Sequence, residues 1–167
     1  MPFLNDEQKA LAQEIAAMLT ARGESVAVAE STTGGLVSAA LLWVPGASRY
    51  YAGGGVLYTL HSRVALAGAP ADLFQDYQGT TPEMLEAVAA SLQAKLGATW
   101  CVAESGLAGP TPGRSGAPAG RCTLGAVGPI RRFEVIDTGI ADREANMVEF
   151  TSRALRLFRD MLREAGR

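Results

Sequence analysis

The tetrapeptide Val-Ala-Glu-Ser occurs twice, at 28–31 and at 102–105. Each copy closes a short apolar, β-rich run and leads into a glycine-containing turn. No other feature constrains the fold as strongly. In open α/β sheets, ligands bind beyond the carboxyl ends of strands, at a topological switch point. If the two runs are neighbouring strands, Ser31 and Ser105 face one crevice, with Glu30 and Glu104 close by.

The rest of the chain supplies the helices such a sheet needs. Asn5 and Gln8 form a capping box ahead of Leu11, Ile15 and Met18/Leu19, and Gly23 offers the stop. Leu36, Val37, Ala40 and Leu41 predict a helix ending before Pro45-Gly46. Tyr50 to Tyr58 reads as a strand whose three glycines mark a bulge or a close backbone approach. A short helix is expected around Ser62 to Ala67. Thr81-Pro82-Glu83 then starts a helix that stops at Gly97. Thr99 to Ala103 is the next strand, and residues 105–120 read as loop. Arg121 to Val127 and Arg132 to Ile136 flank Gly128-Pro129 as a hairpin, and Asp142 caps a last helix. The expected architecture is a three-layer α/β/α sandwich with a mixed, mostly parallel sheet, one domain over residues 1–167.

Composition narrows the function. The formal net charge is -2 and no long Lys/Arg run occurs, which argues against a nucleic-acid footprint. The arginines of RALRLFRDMLRE alternate with Leu155, Leu157, Phe158 and Met161, as on the wet face of an amphipathic helix. MPFLNDEQKA lacks the basic and apolar regions of a secretory signal, and no apolar stretch approaches a membrane span. Cys101 and Cys122 sit in apolar runs without metal-ligand spacing, as expected of reduced core thiols in a cytoplasmic protein.

Two segments carry candidate chemistry. Ser31, Thr32 and Thr33 followed by Gly34 and Gly35 place backbone N–H groups at a helix N-terminus, suited to an anion or an oxyanion. The same letters also describe an ordinary N-cap with a tight turn. Ser105, Gly106 and Gly109 open a Gly/Pro-rich loop that either wraps a ligand or merely connects two strands.

Together these segments resemble the CinA C-terminal domain family, whose pattern AES-[CT]-TGG matches Ala29 to Gly35. The resemblance continues through Gly53-Gly54-Gly55-Val56-Leu57-Tyr58, Ser105 to Pro110, Ala117 to Gly120 and Asp142-Arg143-Glu144. It implies hydrolysis of the carboxamide of nicotinamide mononucleotide to the acid and ammonia. Ser31 falls on the nucleophile, the Thr32–Gly35 amides would hold the oxyanion, and the Ser105–Gly120 loop with Arg143 would position the nucleotide. No cofactor or metal is implied. Relatives commonly self-associate, so a homo-oligomer is implied as well.

One departure matters. Relatives show Y-S-N-x-x-K, whereas this chain has Tyr58-Thr59-Leu60-His61-Ser62-Arg63. A desolvated lysine can lose its proton and serve as a base; guanidinium stays charged. The chain's lysines are Lys9 and Lys95, far from these motifs, and its single histidine is His61. Two hypotheses follow. An amidohydrolase would use Ser31 as nucleophile, Tyr58 and Arg63 to orient the substrate, and His61 or Glu104 to move the proton. A nucleotide-binding module without turnover would use Arg63 as an anion clamp.

Overall fold

The computed structural model describes residues 1–166. Five strands, β1 (Val26–Glu30), β2 (Tyr51–Val56), β3 (Trp100–Gly106), β4 (Arg121–Val127) and β5 (Arg132–Asp137), form one sheet in the order β2-β1-β3-β4-β5. β1 is parallel to both of its neighbours, and β4 runs antiparallel to β3 and β5. The sheet is therefore mixed, with β4 the one strand running against the others. Helices α1 (Asp6–Arg22), α2 (Leu36–Trp43) and α5 (Arg143–Ala165) cover one face, and α4 (Pro82–Leu96) covers the other, with short α3 (Leu60–Ala65) beside it.

Strand alternation divides the core between the two faces. Val26 and Val28 of β1, with Trp100 and Val102 of β3, pack under α1, α2 and α5. Ala27 and Ala29, with Cys101 and Ala103, pack under α4. Both strands are buried on both sides, which is why they read as continuous apolar runs. The glycines of β2 have two causes. The β1–β2 register shifts between Val26 and Ala27, and a Cβ on Gly54 would lie 2.6 Å from the Val28 carbonyl oxygen.

Most helix signals act as the sequence indicates. The Asn5/Gln8 capping box forms in full, Thr81 caps α4, and Asp142 caps α5. The α5 arginines lie on its wet face: Arg153 pairs with Glu149, Arg156 with Glu7, and Arg159 and Arg163 with Glu14. The main differences from expectation lie in three elements. β2 is shorter than Tyr50–Tyr58, and α3 starts at Leu60 because Thr59 accepts from the Ser62 amide as its cap. β3 runs on to Gly106 because β4 pairs with it as far as Gly106↔Cys122. No helix among the described residues is long and apolar enough to cross a membrane.

The chain leaves β1 through α2 to reach β2, then crosses back by α4 on the opposite face to β3 on β1's other side. The carboxyl ends of β1 and β3 thus lie side by side where the winding reverses.

Candidate functional site

The two Val-Ala-Glu-Ser copies are in register: Val28 pairs with Val102, and Ala29 with Ala103. The alternation continues through Glu30 and Glu104 to Ser105 and to Ser31, which lies just past the end of β1. Glu30 and Glu104 turn inward to the α2 side and Ser31 and Ser105 turn toward α3, so that each pair of like residues shares one environment.

On the α3 side the shared partner is Arg63. Its Nη2 donates to Ser105 Oγ at 2.8 Å and reaches Ser31 Oγ at a long 3.5 Å. Nη1 donates to Thr80 Oγ1 at 3.0 Å and Nε to the Leu57 carbonyl at 3.2 Å. Thr80 also contacts Ser105 Oγ at 2.9 Å and the Tyr77 hydroxyl at 2.8 Å. Arg63 is only 4% exposed, with Phe74 against its guanidinium, and among the described residues no carboxylate pairs with it. A buried cation held by neutral hydroxyls and one backbone carbonyl is suited to pair with an anion. Thr80 and Tyr77 escaped the sequence reading. Thr80 stands beside the Thr81 cap, and only the fold brings it to β3.

On the other face the two glutamates are spent on backbone amides. Glu30 Oε1 accepts from the Gly35 and Val37 amides at 2.8 and 3.1 Å, and Oε2 from the Ser38 amide at 2.9 Å. Glu104 Oε1 accepts from the Ser31 and Thr33 amides at 2.9 and 2.7 Å. Burial is the main cause that raises the Glu104 carboxyl above its usual range, opposed by the Thr33 and Ser31 hydrogen bonds.

Several expectations are thereby corrected. None of Ser31, Thr32 and Thr33 is the N-cap: Gly35 occupies that position, and Glu30 supplies the capping oxygens. The turn is not a free anion hole either. Thr33 and Gly35 give their amides to the glutamates and Gly34 gives its amide to Ser31 O, which leaves Thr32 N–H unpaired among the described residues. The Thr32 hydroxyl is a clasp, donating to Gly106 O at 2.9 Å and accepting from Gly106 N at 2.8 Å. The Thr33 hydroxyl is held between Glu30 and Glu104. Glu104 faces these amides rather than the Ser31 hydroxyl, a poor position for a general base. His61 is exposed on the outer side of α3, with no hydrogen-bond partner among the described residues.

Tyr58 and Arg143 form a separate exposed cluster. Arg143 Nη2 contacts the Tyr58 hydroxyl at 3.3 Å, and Nη1 donates to the Gly109 carbonyl at 2.7 Å. Gly109 has φ +93, and a Cβ there would lie 2.5 Å from Ala141 O, so only glycine fits where the loop crosses the start of α5.

Residues 8–162 match the family model described as the CinA C-terminal domain. The chain belongs to this family. A CinA-like protein from Prochlorococcus marinus (strain MIT 9313) is 38% identical over 123 residues, 74% of this chain and 29% of that protein. A CinA-like protein from Parasynechococcus marenigrum (strain WH8102) is 37% identical over 119 residues, 71% of this chain and 28% of that one. The chain thus matches under a third of the length of these CinA-like relatives. Its fold is that of the competence/damage inducible protein CihA from Agrobacterium tumefaciens, with a TM-score of 0.90 at 24% identity, covering 98% of this chain and 99% of that one.

Proposed function

We propose that this CinA-type domain binds a small pyridine nucleotide, with the carboxyl-bearing group of the ligand against Arg63 and flanked by Ser31, Ser105 and Thr80. One observation carries the reading: Arg63 is buried with no carboxylate partner among the described residues, and its Nη2 faces both serine hydroxyls. Desolvating a permanent cation is costly, and a bound anion offsets that cost. The pyridine-nucleotide class comes from the family resemblance, and the preference for an acid over an amide comes from Arg63. The test is calorimetric titration of the wild type and of Arg63→Met with nicotinate mononucleotide. Binding by the wild type that weakens about 10- to 100-fold in Arg63→Met supports the clamp, as loss of one charge-assisted contact implies. Equal binding by both proteins refutes it.

A second reading, hydrolysis of the nucleotide carboxamide, is favoured by the position of Ser31 at a sharp strand-to-helix turn, beside a Thr32 N–H that is unpaired among the described residues. In that reaction Ser31 Oγ attacks the carboxamide carbon, ammonia leaves, and water then splits the acyl-enzyme to the acid. The reading needs a proton acceptor for Ser31. Arg63 cannot serve, and it is the hydroxyl's only hydrogen-bond partner among the described residues. Binding without turnover is therefore the better-supported function.

A further inference from the structure

Glu30 and Glu104 converge on one hydroxyl. Thr33 Oγ1 lies 2.7 Å from Glu30 Oε1 and 2.8 Å from Glu104 Oε1, and both carboxyls are 1% exposed. The threonine hydroxyl carries a single proton, so two buried acids compete for one donor at this point.

We infer that Glu104 is held as a neutral acid at neutral pH, with its proton on Oε2 while Oε1 accepts from the Ser31 and Thr33 amides, and that this neutral form positions the Ser31 turn. The choice of Glu104 follows from the donors each acid faces. Glu30 places both oxygens on amides at the positive end of α2, where a negative charge is stabilised. Glu104 places only Oε1 on amides, and Oε2 meets the Cys122 thiol at 3.7 Å. Two adjacent buried carboxylates do not both ionise readily.

Among the described residues, the groups around the pair supply no compensating cation. Glu30 and Tyr51 approach from β1 and β2, and Cys122 from β4. Arg63, on α3, makes hydrogen bonds to Leu57, Thr80, Ser105 and Ser31 and to neither glutamate. Arg143 of α5 is turned to Gly109 and Tyr58. Through its acceptance of the Ser31 and Thr33 amides, Glu104 is a positioning residue whose charge state is coupled to the geometry of the turn.

The sign of the pH dependence follows. A carboxyl that keeps its proton in the fold but loses it in the unfolded chain near pH ~4 makes the fold most stable on the acid side of that value. Stability then declines as pH rises, until the folded group also ionises. The experiment compares thermal unfolding of the wild type, Glu104→Gln and Glu30→Gln from pH 5 to 9, with infrared spectra at pH 7. Glu104→Gln keeps a neutral group of the same shape. It is expected to gain on the wild type by roughly 3 °C or more in Tm between pH 5 and 9, and to lose a protonated-carboxyl band that the wild type shows at pH 7. Glu30→Gln is expected to be less stable than the wild type at every pH. Parallel wild-type and Glu104→Gln pH profiles, or a wild-type spectrum at pH 7 without the protonated-carboxyl band, would overturn the inference. These readouts need no ligand, so they stand or fall apart from the proposed nucleotide.

Discussion

Val28 of β1 lies beside Val102 of β3 in a parallel ladder, and that one register decides what the next residues of both strands do. It brings two glutamates to one hydroxyl on one face and two serines to one guanidinium on the other. Alternation along a strand thus separates the glutamates, which hold the turn amides, from the serines, which meet Arg63.

Arg63 is expected to cost the fold more than it returns. Arg63→Met removes a buried cation while Thr80 and Ser105 remain bonded to each other. Its unfolding free energy in urea should stay within about 1 kcal/mol of the wild type, or rise. A loss of about 3 kcal/mol or more would mean that the arginine is a structural strut.

Arg63→Lys separates a lost catalytic lysine from a clamp. A lysine ammonium cannot satisfy Leu57, Thr80, Ser105 and Ser31 with one planar fork. Nucleotide affinity should fall about tenfold or more, with no ammonia released from nicotinamide mononucleotide. Deamidation appearing in this variant would instead identify position 63 as the missing base.

Gly106 ends β3 where the Thr32 hydroxyl clasps it. A Cβ there would lie 2.7 Å from Phe150 Cε2 and 3.0 Å from the Arg121 carbonyl oxygen. Phe150 is fully buried and cannot swing away. Gly106→Ala should lower stability in denaturant titration by about 1–3 kcal/mol. No measurable change would show that the β3 end has room to yield.

The thiols should be silent in the native protein. Burial pushes Cys101 up to about 12 and Cys122 well above its ordinary value, so little thiolate exists at pH 8. A thiol-reactive dye should label neither cysteine until guanidinium unfolds the chain. Rapid labelling of native protein would contradict their placement in the two halves of the core.

Much of the fold was legible from the chain because its signals are local. The Asn5/Gln8 capping box, the Thr81-Pro82 start and the Asp142 cap each need only a few neighbouring residues. The repeated tetrapeptide indicated that Ser31 and Ser105 face one crevice if their strands are neighbours, and β1 and β3 are neighbours with Ala29 beside Ala103. What stayed hidden depends on contacts distant in sequence. The hydroxyls at 31–33 match a cap motif, but Glu30 and Glu104 reach the amides of the turn first. Thr80 and Tyr77 join the cluster only because α4 returns the chain across the sheet to β3. His61 and Arg63 are two residues apart on a short helix, and the helical turn sends one to solvent and the other inward.

The proposed function has Arg63 hold a ligand beside Ser31, with no base against the serine hydroxyl among the described residues. The direct test is ammonia release from nicotinamide mononucleotide by the purified wild type, with Ser31→Ala alongside and nucleotide binding measured on the same samples. Binding without ammonia above the Ser31→Ala level is the expected result. Wild-type ammonia release that vanishes in Ser31→Ala would contradict the claim and make the domain an amidohydrolase.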